Sequence, residues 1–182
     1  MTSLSGRFVV LGVSGGIAAY KAVEVCRKLI EGGAHVAVAT TEASLRFVGE
    51  ATWNALASEH CHHSLWNDDY SIPHTRLGKK ADLIVVCPAT AKVIGSYAAG
   101  ISDDLLTATL LATAAPVVIC PAMHTEMWEH PAVQDNIATL IRRGVNIVPP
   151  VEGRLAGEDT GIGRLAEPED IVSKVCAVLE AA

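Results

Sequence analysis

Five short runs of consecutive apolar residues, each followed by a helical pattern, constrain this chain more than anything else in it. The runs are Phe8-Val9-Val10-Leu11-Gly12-Val13, His35-Val36-Ala37-Val38-Ala39, Leu83-Ile84-Val85-Val86-Cys87, Val117-Val118-Ile119-Cys120 and Asn146-Ile147-Val148. Strands that are apolar at successive positions need cover on both faces, and helices between them supply it. The first helix begins at about Ile17, with Ala18, Ala22, Val25, Cys26 and Leu29 at helical spacing, and Gly32-Gly33 ends it. Further helices are predicted around 44–48, 52–57, 75–80, 91–98, 104–113, 132–143 and 168–179. Pro88 and Pro121 are expected to stop the third and fourth strands, and Pro149-Pro150 the fifth. The prediction is an α/β fold: one doubly wound parallel sheet over 1–182, a Rossmann-like or flavodoxin-like three-layer sandwich. One stretch falls outside the pattern. Residues 149–165 hold Gly153, Gly157, Gly161 and Gly163 and read as a long irregular segment, a flexible substrate flap at about 150–165.

Composition narrows the class of partner. Against 20 Asp+Glu the chain has 14 Lys+Arg, a formal net charge of −6, which argues against nucleic acid or an anionic membrane. No apolar run approaches the roughly 20 residues of a bilayer span, and the opening residues lack a signal-peptide pattern. A cytoplasmic protein is expected. Five scattered cysteines (Cys26, Cys61, Cys87, Cys120, Cys176) form no C-x-x-C pair and are read as buried, reduced thiols. The run His60-Cys61-His62-His63 has adjacent side chains that point different ways, so no metal site is expected.

In a sheet of this kind ligands sit beyond the carboxyl ends of the strands. The first such end, Gly12-Val13-Ser14-Gly15-Gly16-Ile17, offers close backbone approach and free N–H groups suited to phosphate, although a ligand-free tight turn is the competing explanation. The spacing is not G-x-G-x-x-G, and the second strand ends in Thr40-Thr41 where a dinucleotide site wants an acid. A mononucleotide fits better, and FMN is the natural candidate. The third strand end, Cys87-Pro88-Ala89-Thr90-Ala91-Lys92, leaves room for a flat ring. The fourth, Pro121 to Trp128, carries Met123, Met127 and Trp128, which could equally be core.

Taken in order, Gly12 to Lys21, Thr41-Glu42-Ala43, His74, Pro88-Ala89-Thr90-Ala91, Asp103-Asp104-Leu105-Leu106 and Pro-x-Met-x-x-x-Met-Trp at 121–128 resemble the homo-oligomeric flavin-containing cysteine decarboxylases. That family includes phosphopantothenoylcysteine decarboxylases of coenzyme A synthesis and peptidyl-cysteine decarboxylases of lantibiotic-like and thioamide peptide pathways. The likeness runs from about residue 7 to 180.

The resemblance implies FMN as cofactor, with Gly15, Gly16, Ile17 and Thr41 holding its phosphate and Ser14 also among the cofactor-binding residues. It implies Phe47 near the flavin, Pro88, Ala89, Thr90 and Ala91 along the isoalloxazine, and Ser102, Asp103 and Met123 completing the site. Substrate contacts fall to His124, Met127 and the flap residues Gly153, Arg154, Leu155, Ala156 and Gly157. His74 matches the catalytic histidine, and a base titrating near neutrality suits removal of a thiol proton. Trimers, or dodecamers built of trimers, with FMN at the subunit contact are implied, and some of Trp53, Trp66 and Trp128 would then sit at interfaces. The implied chemistry is thiol oxidation by FMN followed by loss of carbon dioxide.

Two departures shape the expected substrate. His124 stands where the family has asparagine for the substrate carboxylate, and histidine can still donate hydrogen bonds there. No cysteine occurs in 149–165, where coenzyme A enzymes carry one that helps return electrons and saturate the product. With the chain ending after one domain, the expected substrate is the C-terminal cysteine of a precursor peptide, converted to an enethiol. The alternative is phosphopantothenoylcysteine decarboxylation, and a more distant one a non-catalytic regulatory flavoprotein.

Overall fold

The structure is a computed structural model that describes residues 4–66 and 72–182. The opening residues 1–3, read above for a leader, lie outside it. Five parallel strands form the central sheet in the order β2-β1-β3-β4-β5: β1 Phe8–Val13, β2 His35–Thr40, β3 Leu83–Ala89, β4 Val117–Pro121 and β5 Asn146–Ile147. On one face lie α1 (Ala19–Glu31) and α8 (Pro168–Ala181), packed on Val9, Leu11, Val36, Val38, Val85 and Val118. On the other lie α3 (Pro73–Lys80), α4 (Ala91–Ala99), α5 (Leu105–Leu111) and α7 (Pro131–Arg142), packed on Val10, Ala37, Ile84, Val86 and Ile119. Successive strand residues thus feed opposite cores, which is why the runs are apolar throughout instead of alternating. Each large aliphatic side chain so buried contributes about 1.5–3 kcal/mol. Among the described residues no helix is long and apolar enough to cross a membrane.

The remaining elements are α2 (Glu50–Leu56), the four-residue α6 (Thr125–Trp128), and the hairpin of β6 (Val151–Arg154) and β7 (Thr160–Arg164). This hairpin corrects the expectation of an irregular segment. Its strands pair antiparallel, Leu155 N–H closes the turn on the Asp159 carbonyl at 2.9 Å, and two of its glycines, Gly161 and Gly163, answer contacts outside the hairpin. A side chain on Gly163, at φ +150, would run into the Met123 carbonyl, and one on Gly161 into the Thr125 hydroxyl. The hairpin lies flat on the exit of β4, where Met123 N–H donates to the Gly163 carbonyl at 3.0 Å.

Other expectations shift locally. Pro88 lies inside β3 instead of stopping it, whereas β4 does end at Pro121, its last residue. Pro88 falls where the β3–β4 register slips between Val86 and Ala89, so no ladder bond is asked of its nitrogen. The segment expected as a helix at 44–48 is a 3₁₀ turn, Glu42–Arg46, and α1 starts at Ala19 after a turn through Ile17 and Ala18. Trp53 is fully buried within the chain, whereas Trp66 is 87% exposed. Four of the cysteines are buried and Cys176 half-buried, none paired, and burial pushes the Cys26 and Cys61 thiols up to about 11.

Candidate active site

At the carboxyl ends of β1, β3 and β4 the crossovers diverge: β1 leads into α1 on one face and β3 into α4 on the other. A crevice opens at such a reversal of winding. Here it is a cavity of about 500 Å³. The glycine turn (Gly15, Gly16, Ile17) and the start of α1 form one wall, and Pro88, Thr90 and Ala91 the floor. Met123, His124 and Met127 flank it, and Arg154, Leu155 and Ala156 of the hairpin cover it. Residues from three of the strand-end stretches singled out in the sequence, those after β1, β3 and β4, therefore meet in one space with the hairpin. Tyr20, Lys21, Gly163, Arg164 and Leu165 line it too and were not anticipated. For Tyr20 and Lys21 a signal existed: the first turn of a helix following a phosphate-type loop faces the same crevice as the loop.

The glycine turn is built for close approach. A Cβ on Gly15 would lie 2.6 Å from Ala43 Cβ, so no larger residue fits. A Cβ on Gly16 would enter the gap toward Thr90, 3.5 Å from its Cγ2. Among the described residues no hydrogen bond uses the N–H groups of Gly15, Gly16, Ile17 or Ala18, which stand at the start of a 13-residue helix. Thr41 stands at the root of this turn, its N–H donating to the Val13 carbonyl at 3.0 Å, and its own hydroxyl is buried without a partner. Free amides beside an orphaned hydroxyl fit a phosphate monoester such as that of FMN.

The Ser14 hydroxyl donates to the Pro88 carbonyl at 2.8 Å and accepts from Thr90 N–H at 2.9 Å, so it ties the first strand end to the third. Ala89 is buried beneath the floor. Gly153 and Gly157 belong to the hairpin but do not line the cavity.

The structure leaves four further anticipated residues apart from this space. Phe47, 48% exposed, follows the 3₁₀ turn. Ser102 and Asp103 precede α5, where Asp103 lies 3.2 Å from Lys92 Nζ and Asp104 caps the helix by accepting from Thr107 N–H at 2.8 Å. His74 occupies the first turn of α3, half-buried, with Nδ1 buried and unpartnered, and does not line the cavity of a single chain.

Two residues beyond His74, Arg76 grips Glu59 with both guanidinium nitrogens at 2.8 and 2.7 Å, and His62 Nε2 lies 2.9 Å from the same carboxylate. Burial pushes the Glu59 carboxyl up, but the bonds from His62 and Arg76 and the Arg76 charge outweigh it and hold the group well below the usual carboxylate range. Among the described residues no group of three or more His, Cys, Asp or Glu side chains gathers as metal ligands do.

With this geometry in view, comparison with known proteins is informative. A family model described as flavoprotein matches residues 1–180. The coenzyme A biosynthesis bifunctional protein CoaBC of Mycolicibacterium smegmatis is 52% identical over 174 residues, covering 96% of this chain and 42% of the relative. This chain thus spans about two fifths of the length of the curated relatives it matches. A PPC decarboxylase mutant complexed with pantothenoylaminoethenethiol superposes with TM-score 0.86 at 32% identity, over 96% of this chain and 98% of the other. The FMN-dependent cysteine decarboxylase SpaF superposes with TM-score 0.87 at 30% identity, over 98% of each chain.

Proposed function

Since this chain belongs to the flavoprotein family, we propose that it is an FMN-dependent decarboxylase whose substrate is phosphopantothenoylcysteine. The observation that carries the choice of substrate is the 52% identity, over nearly the whole chain, to a coenzyme A biosynthesis protein. The peptide substrate expected from the sequence takes second place. It keeps one observation in its favour, the absence of cysteine from 149–165, together with the likeness to SpaF.

FMN, when bound, supplies the two-electron acceptor that oxidation of a thiol requires. The chain supplies position and proton handling. The amides of Gly15 to Ala18 and the Thr41 hydroxyl would hold the phosphate, and Pro88, Thr90 and Ala91, with Met123 and Met127 beside them, would line the space open to the flavin. His124, at the start of α6, donates to the substrate carboxylate, and its Nδ1 lies 3.8 Å from Asp159 of the hairpin tip. His74 takes the thiol proton. Because His74 stands apart from the cavity of its own chain, the proposed assembly is a trimer, or a dodecamer of trimers, in which it serves a site at the subunit contact.

Mass spectrometry of products tests this, with purified holoenzyme given phosphopantothenoylcysteine and, separately, a short peptide ending in cysteine. Loss of carbon dioxide from the small substrate is expected. Loss of carbon dioxide plus two hydrogens from that substrate keeps the proposal and assigns the missing cysteine to the oxidation state of the product. Turnover of the peptide alone overturns it in favour of the second reading.

A further inference from the structure

We propose that Arg154 recognises the terminal phosphate of the substrate's pantothenoyl arm and so sets the preference for a phosphorylated substrate. The identity of that substrate rests on the function proposed above; the choice of residue rests on the charges around the cavity. The chain as a whole is acidic, at −6, yet none of the 19 residues lining the cavity is Asp or Glu, and three (Lys21, Arg154 and Arg164) are cationic. An apolar crevice with cations and no carboxylate selects anions.

Two of the three cations are already answered from outside the cavity. Glu167 places Oε2 3.4 Å from Lys21 Nζ and Oε1 2.8 Å from Arg164 Nη2. Arg154 has no carboxylate partner among the described residues; its Nη2 donates to the Gly157 carbonyl of its own hairpin at 3.5 Å. The free amides of the glycine turn answer the phosphate of the cofactor. Arg154, the last residue of β6, therefore remains for a second anion. A guanidinium presents several N–H donors in one plane and takes phosphate oxygens in pairs, which an ammonium does not. Its carrier is fixed on the body of the protein through the Met123–Gly163 bond and the close approach of Gly161 to Thr125, so the charge is held over the cavity by folded strands.

The test compares kcat/KM of the holoenzyme for phosphopantothenoylcysteine and for pantothenoylcysteine, in wild type, Arg154→Gln and Arg154→Lys. The ratio of the two values is expected to fall roughly 10- to 100-fold in Arg154→Gln, as loss of one charge-assisted hydrogen-bonded contact predicts. The fall should appear in KM and be partly restored in Arg154→Lys. The wild-type KM for the phosphorylated substrate should rise steeply with ionic strength, and that slope should flatten in Arg154→Gln. FMN affinity, from fluorescence titration of apoprotein, separates the two phosphates. A variant that loses FMN affinity with its substrate ratio intact places Arg154 on the cofactor and overturns the inference. Equal loss on both substrates overturns it too. A wild type that turns over neither small substrate overturns the proposed function, and this inference with it.

Discussion

Two hydroxyls at neighbouring strand ends take opposite parts in this protein. Ser14 spends its hydroxyl on Pro88 and Thr90, whereas the Thr41 hydroxyl is buried with nothing to bond. A buried polar group without a partner is costly unless a ligand completes it. Thr41→Val is therefore expected to leave the apoprotein at least as stable as wild type. It should weaken FMN binding about tenfold, at the lower end of what a hydrogen bond to a charged group is worth; flavin fluorescence titration measures it. Thr41 could be found from the sequence because it ends a strand beside a glycine turn. The role of Ser14 could not, because its two partners are 74 and 76 residues distant in the chain. Arg154 was placed at the site by resemblance, but its charge became meaningful only once Glu167 was seen to occupy Lys21 and Arg164.

Among the elements, the β6–β7 hairpin was the one least legible beforehand. Glycine at four places in 149–165 suggested irregularity, but at Gly161 and Gly163 the reason for glycine lies in another element, at Thr125 and Met123. A contact between segments so separated leaves no local pattern to read. Gly163→Ala should lift the hairpin from β4, since its Cβ meets the Met123 carbonyl. The expected sign is faster hydrogen exchange at Met123 N–H, with the amides of β1 and β3 unaffected. Helix α3 depends instead on a charge cluster. The folded-state pKa of Glu59 lies below its unfolded value, so its contribution to stability is fully present above about pH 4.3 and is lost as pH falls below it. Glu59→Gln should lower stability at neutral pH and flatten the loss below pH of about 4, as read by denaturant unfolding across pH. The strands themselves were legible almost residue by residue, because burial on both faces writes itself into consecutive positions. Their ends were less so, since Pro88 is tolerated by a slipped register that only pairing with β4 reveals.

For the whole molecule, the strand order β2-β1-β3-β4-β5 matters more than any single contact. It sends α1 and α4 to opposite faces, and the resulting crevice collects the glycine turn, the floor and the hairpin. Apolar periodicity foretold the layers, and the spacing of the strand ends foretold much of the cavity wall. The place of His74 outside the cavity was not legible at this scale, since it depends on how α3 packs and not on any local pattern. A ligand bound across three strand ends should stabilise the fold as one unit. At FMN concentrations of about 100 times the dissociation constant the gain is about 2.7 kcal/mol, a rise in Tm of roughly 5–10 °C for a domain of this size. Differential scanning calorimetry with increasing FMN checks it, and an unmoved transition would remove the cavity as the cofactor site. The hairpin also has a bearing on diversification. Its backbone anchorage lies in β7, while Arg154 lies outside those contacts and, among the described residues, the tip reaches the body only through Asp159, 3.8 Å from His124 Nδ1. The tip is in effect an interchangeable cassette on a fixed mount. Tips grafted from relatives of different appetite should import substrate preference while the host keeps its scaffold.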